Sequence, residues 1–270
     1  MVEISKKYRI GVKRFGLVNW IGSTTLYKKE VQRFLVVWIQ TLLSPIVSSL
    51  LFLLVLSLAI GNIRSNMLGV PFISFLAPGL IAMQIIGGSF SHSSSTFIMG
   101  KVQGNIVDIL YAPLSAAEVT LAINLAATTR SFMIVIISIF IFYFLIDIEI
   151  KNYYSLIFYV FISSFILGSV GIIAGLWAEK FDNLASITNF LIVPLSFLSG
   201  TFYTIDKLPQ SLQIVSKCNP FFYMIDGMRY SFLLKSDGSV FIGTIYLIVL
   251  AMTLWFVSYL LYKKGYKIKS

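Results

Sequence analysis

Charged side chains are scarce: Asp, Glu, Lys and Arg make up 12% of the 270 residues, whereas 57% are hydrophobic and the mean hydropathy is +0.88. A soluble globular domain carries about 25% charged residues, so this chain has too little polar material to surround a water-soluble core. A soluble enzyme is excluded. Cysteine is nearly absent: Cys218 stands alone, which rules out an intramolecular disulfide and a cysteine-based metal cluster. His92 is the one histidine. A metal site or a hydrolytic triad would have to be built around it, and no carboxylate lies close in sequence to orient the imidazole. No GxxxxGK[ST] phosphate loop and no HExxH pair occurs, so the chain has no recognisable nucleotide-hydrolysing, cofactor-binding or metal site.

What is present is a set of long apolar runs: Phe34 to Ile60, Phe72 to Phe97, Val119 to Leu145, Tyr154 to Trp177, Leu184 to Ser199 and Val240 to Tyr262. Crossing a bilayer as a helix takes about 20 apolar residues, so these predict an all-α integral membrane protein with six transmembrane helices. The fifth run is short and stops at Ser199-Gly200, which suits one limb of a segment that continues into a re-entrant excursion. The 11 acidic residues all fall outside these runs, which weighs against a proton-coupled carrier.

An even number of spans places both termini on one side. That side collects 14 basic residues, including Lys6, Lys7, Arg9, Lys13, Arg14, Lys101, Lys180 and Lys269, against 6 on the other, Arg64 and Lys235 among them. The positive-inside rule puts the more basic side in the cytoplasm. The net charge of +10 thus reports membrane orientation and contact with anionic lipid, and nucleic acid is not needed to explain it. No cleavable signal peptide is visible, since basic residues run throughout the first 33 positions without an apolar core among them. The simplest division is a cytoplasmic lead over 1–33, a six-span domain over 34–262 and a basic tail over 263–270.

Several segments carry more specific signals. From Thr24 to Val37, apolar Leu26, Tyr27, Val31, Phe34 and Leu35 interleave with Lys28, Lys29, Glu30, Gln32 and Arg33. This is either an amphipathic interface helix whose cations meet headgroups, or a plain polar flank of the first span. The stretch Gly87 to Phe97, GGSFSHSSSTF, sets small residues at helical spacing. It either packs helices closely or offers Ser91, His92 and Ser95 as a polar conduit wall. Pro45, Pro78 and Pro194 interrupt three spans as kinks or hinges. Arg130, deep in the third, either snorkels to the cytoplasmic surface or meets a helix-end carbonyl.

Between the second and third spans, Asn105 can cap a short helix with Ile106, Val107, Ile109, Leu110 and Tyr111, Asp108 on its polar side, and Pro113 as its stop. Such a helix sinks into headgroups or inserts into a partner's groove. After the fifth span, Leu208, Leu212 and Val215 form an apolar stripe, Asn219-Pro220 turns the chain, and Phe221 to Leu234 dips back towards the bilayer. Asp226 and Arg229, three apart, can pair on one helical face.

The NIVDILYAPLS loop and the segment PLSFLSG at 194–200, followed by Phe202, Leu208-Pro209, Asn219-Pro220 and Asp226-Gly227-Met228-Arg229, resemble the ATP-binding-cassette type 2 permease family over nearly the whole chain. The resemblance implies a half-transporter. Two copies of the permease would assemble with a separate ATPase that binds ATP and Mg, and Asn105 to Pro113 would form the coupling helix seated on that ATPase beside the interface helix. It further implies external re-entrant helices that cap the conduit, with Ser199, Gly200, Asp226 and Arg229 at the cap, and export across a bacterial plasma membrane of a hydrophobic, amphipathic or lipid-linked substrate. Two other readings stay open: a membrane-embedded enzyme acting on lipid through His92 and its serines, and an ion-coupled carrier using Arg130.

Overall fold

The computed structural model describes residues 18–60, 66–146 and 148–268. Lys6, Lys7, Arg9, Lys13, Arg14, Arg64 and Lys269 lie outside them. Six helices are long and apolar enough to cross a membrane: Ile39–Ala59, Phe72–Val102, Ala116–Ile146, Tyr153–Trp177, Phe181–Leu198 and Val240–Lys263. Each grows from one of the apolar runs, and the chain is an all-α integral membrane protein. In chain order the helices are α1 (Trp20–Val36), α2 (Ser44–Ile60), α3 (Phe72–Val102), α4 (Ile106–Tyr111), α5 (Ala116–Ile146), α6 (Tyr153–Trp177), α7 (Phe181–Ile187), α8 (Val193–Leu198), α9 (Gln210–Cys218), α10 (Pro220–Leu233) and α11 (Val240–Lys263). A short antiparallel hairpin, β1 (Asn66–Met67) with β2 (Val70–Pro71), precedes α3. It turns at Leu68 and Gly69, both at positive φ, and no apolar periodicity announces so small a ladder.

The centre of the bundle is the pair α3 and α6, flanked by α5 on one side and by α10 and α11 on the other. Small residues let the two backbones meet, as expected in lipid where close packing replaces the hydrophobic drive between helices. A Cβ on Gly171 would lie 2.6 Å from the Phe90 carbonyl oxygen, and one on Gly175 would lie 2.7 Å from that of Ser94. Hydroxyls and amides close the remaining gaps. Ser89 pairs with Ser131 at 2.7 Å, Ser164 donates to Thr128 at 3.1 Å, and Asn124 donates to Ser169 at 3.0 Å. Much of the serine-rich stretch therefore serves packing.

The periphery is different. The second and fourth spans are mostly buried inside the bundle, whereas the first, fifth and sixth leave most of their apolar residues facing outward. Two of these exposed spans share a device: a π turn, Ile39–Leu43 in the first and Thr188–Ile192 in the fifth, directly precedes Pro45 and Pro194. A proline leaves a carbonyl one turn back without its donor, and a wide turn is one way to absorb it. Pro78 sits inside an unbroken α3.

Candidate functional site

At the end of the bundle that carries α1, α4 and the C-terminal lysines, a small core forms from Leu26, Phe97, Ile106, Ile109, Ile123 and Ile172. It decides how α4 sits. Ile106 and Ile109 point into this core, while Val107, Leu110 (36% exposed) and Tyr111 (86% exposed) face outward. Asn105, Asp108 and Pro113 are exposed beside them. Asp108 lies in the first turn, where the helix dipole favours a carboxylate. The cap differs from expectation: the Asn105 side chain makes no capping bond and instead donates to Gln103 Oε1 at 3.2 Å. Gly104, at φ +75°, makes the bend between α3 and α4.

The amphipathic segment is helical, as α1, and starts earlier than its charge pattern suggests. Asn19 caps it, accepting from the Gly22 N–H at 2.9 Å. Asn19 also joins α1 to the loop after α4, since its N–H donates to Glu118 Oε1 at 2.9 Å and its amide donates to the Pro113 carbonyl at 3.2 Å. Glu118 meanwhile forms a capping box with Ser115 at the start of α5. One groove of about 430 Å³ runs between α1 and α4, lined by Gly22, Leu26, Lys29, Asp108, Ile109 and Pro113 among others.

Lys28 and Lys29 are exposed on α1, but Arg33 turns inward. Glu30 falls on the buried stripe Leu26, Glu30, Phe34, which is the signal available in the sequence: a carboxylate at i+4 between two apolar anchors. Arg33 Nε donates to Glu30 Oε2 at 2.9 Å, and its other nitrogens reach Ser95 Oγ at 2.9 Å, the His92 carbonyl at 2.9 Å and Thr96 Oγ1 at 2.6 Å. Thr96 donates to Glu30 at 2.8 Å. The pair thus staples α1 to the second span. A carboxylate outside every apolar run is brought against one after all, which removes the sequence argument that no acid reaches the membrane-spanning part.

His92 is 2% exposed, 3.8 Å from Glu30 through Nε2, and edge-on to Phe34. An acid beside the imidazole is therefore present, although 62 positions away in sequence. No described hydroxyl bonds the ring: Ser95 Oγ donates to the His92 main-chain carbonyl at 2.8 Å, and Nε2 has no hydrogen-bond partner among the described residues. The arrangement does not align a nucleophile. Ser91 is exposed, and Ser95 is half-buried with its hydroxyl accepting from Arg33. Glu30→Ala is expected to lower stability by about 2 kcal/mol, the scale of hydrogen bonds to charged groups; Glu30→Gln, which can still accept, should lose less. Thermal unfolding in detergent measures both.

Arg130 does not snorkel. Its Nη2 donates to the Thr41 carbonyl at 2.9 Å and its Nη1 to that of Gly88 at 3.3 Å, both within helices of the bundle.

At the far end, α9 and α10 close over the fifth span. The last carbonyls of that span lack intrahelical donors, and α9 and α10 supply them. Asn219 donates to the Leu195 carbonyl at 2.9 Å and to Ser199 Oγ at 2.7 Å, Ser216 to that of Leu198 at 3.0 Å, and Arg229 to that of Gly200 at 2.7 Å. Gly200, at φ +74°, makes the break. Asp226 and Arg229 pair as their spacing predicts, at 3.6 Å, and Asp237 joins them at 3.8 Å. Arg229 is fully buried with its guanidinium 3.8 Å over the Phe75 ring. Burial pushes the Asp226 and Asp237 carboxyls up, and Arg229 opposes that rise in both. The Asp237 and Gly238 N–H groups donate to Asp226 at 2.8 and 3.0 Å, so the cap is also tied to the start of α11.

Six spans, an amphipathic lead helix, an outward-facing short helix at one end and a helical cap at the other define a multi-span helical membrane protein. The ABC-2 type transporter family matches residues 23–233, and the chain belongs to it. "Inner membrane transport permease YadH" of Escherichia coli K12 is 27% identical over 251 residues, covering 93% of this chain and 98% of that protein. "Nodulation protein J" of Neorhizobium galegae is 24% identical over 220 residues, covering 79% and 81%. The "Nodulation protein J" of Sinorhizobium fredii is 20% identical over 249 residues, covering 89% and 91%.

Proposed function

We propose that this chain is one of two identical permease subunits of an ATP-driven exporter in a bacterial inner membrane, with both termini cytoplasmic. A separate ATPase supplies the nucleotide site and carries ATP and Mg. The observation that carries this reading is α4: Ile106 and Ile109 root it in the bundle while Val107, Leu110 and Tyr111 are left facing out. Exposed apolar anchors on a rooted helix suit insertion into a partner's groove. A push on α4 reaches α1 through Asn19 and Glu118, and the second span through Arg33.

The conduit in this reading lies between the first, second and fifth spans of the two copies. Its support is the unburied surface of the first and fifth spans together with exposed Gln40, Ser44, Ser91 and Asn189. A face mixing apolar and hydroxyl or amide groups suits an amphipathic or lipid-linked substrate. The permease names of relatives and the family membership support transport, and export follows the family's usual direction.

The test is co-purification with a neighbouring ATPase, followed by Leu110→Asp. The expected result is loss of the complex and of permease-stimulated ATP hydrolysis. Unchanged assembly with unchanged coupled hydrolysis overturns the contact.

A further inference from the structure

A guanidinium at bilayer depth is costly unless its donors are taken and its charge answered. Arg130 is 8% exposed, and among the described residues no carboxylate forms an ion pair with it. Its Nε has no partner there either. What holds it is backbone. The Thr41 carbonyl that accepts from Nη2 lies four residues before Pro45, which has no N–H to offer a carbonyl one turn back. It sits inside the π turn Ile39–Leu43. The Thr41 hydroxyl in turn donates to the Phe34 carbonyl at 2.8 Å and to the Val37 carbonyl at 3.0 Å. A continuous polar chain therefore runs from the third span, through the wide turn of the first, to the last turn of α1. The second donor, Nη1, bonds the Gly88 carbonyl and ties the same guanidinium to the second span.

We infer that Arg130 is a positioning residue: it supplies the N–H that Pro45 lacks, and by holding Thr41 it sets the angle at which the interface helix turns into the first span. With the joint held, displacement of α1 passes to the first span as rotation. With the joint loose, the elbow absorbs it. The coupling half of this inference rests on the ATPase-driven reading above; the joint itself does not.

The test separates the two. In a Cys218→Ser background, spin labels at Thr24→Cys on α1 and Leu58→Cys on α2 report the elbow by pulsed dipolar spectroscopy. Arg130→Gln is expected to broaden the distance distribution, and in the complex to lower transport per ATP hydrolysed by about tenfold or more, since the Thr41 and Gly88 carbonyls both lose a charged donor. Arg130→Lys, which keeps a charged donor on a long stem where the shorter, neutral Gln side chain does not reach both carbonyls, is expected to stay near wild type. Pro45→Ala restores an N–H for Thr41 and is expected to narrow the distribution again in the Arg130→Gln background. A general packing defect would show no such rescue. An unchanged distribution in Arg130→Gln, or no narrowing by Pro45→Ala, overturns the joint; a broadened distribution with unchanged transport per ATP overturns the coupling role. If Arg130→Gln alone does not accumulate, accumulation of the double variant supports the inference and failure of both overturns it. Absence of ATP-driven transport in the wild-type complex defeats the functional reading while the distance measurement still decides the joint.

Discussion

Arg229→Met is expected to cost about 3–5 kcal/mol, because it strands two buried carboxylates that were placed for a cation. Asp226 and Asp237 flank the guanidinium at 3.6 and 3.8 Å, and Arg229 is fully buried. The loss is not confined to charge. The Gly200 carbonyl loses its 2.7 Å donor and the Phe75 face loses its cation, so the cap detaches from both the fifth and the second span. Thermal unfolding in detergent, or survival through size-exclusion chromatography, measures it. Arg229→Lys keeps the charge but cannot reproduce a fork that serves Gly200 and both acids at once, and is expected to recover only part. Wild-type stability in Arg229→Met would show that the two acids are held by their backbone N–H donors alone.

Gly171→Leu is expected to be the most damaging substitution within the bundle. Its new Cβ would meet the Phe90 carbonyl at 2.6 Å and the Ser94 nitrogen at 3.1 Å. Backbone atoms on a central helix do not yield as a side-chain tip does. Overpacking a well-filled core costs about 1–3 kcal/mol when neighbours can shift, and here the whole of α3 would have to move off α6. Loss of the folded, monodisperse species on size exclusion is the expected readout. Gly87→Ala is the control: nothing lies within 4 Å of a Cβ placed there, and replacing a mid-helix glycine gains about 0.5–1 kcal/mol. If both variants unfold at the same temperature as wild type, α3 and α6 are not packed as described.

Local chemistry made the spans, the amphipathic lead and α4 legible, because hydrophobicity and turn residues act over a few positions. The pairing of Asp226 with Arg229 follows from helical spacing; the split that buries Ile106 and Ile109 and leaves Leu110 facing out does not, since Leu110 lies one turn on from Ile106 and only the packing of α4 on the bundle separates them. The Glu30 contact with His92 was beyond reach, since it joins helices 62 positions apart and a charged residue in an amphipathic segment reads as solvated. Asp237, eight positions beyond Arg229, was hidden for the same reason: a loop residue acquires its partner only when the cap folds over α3. Asn105 illustrates the reverse error. Its type is right for a cap, but the bend at Gly104 leaves its amide beside Gln103 rather than over the first turn of α4.

The paired wide turns have a consequence for helical phase. A π turn holds one more residue than a regular turn, so everything beyond Leu43 is rotated by about 100° relative to an uninterrupted helix. Ile46 and Leu53, both buried, take their core-facing positions at that offset. Removing a single residue between Ile39 and Leu43 would leave composition, hydropathy and length for crossing the bilayer almost untouched, yet swing those two side chains off the core and carry another face of the first span around in their place. The fifth span, with its own five-residue turn at Thr188–Ile192, is indexed in the same way.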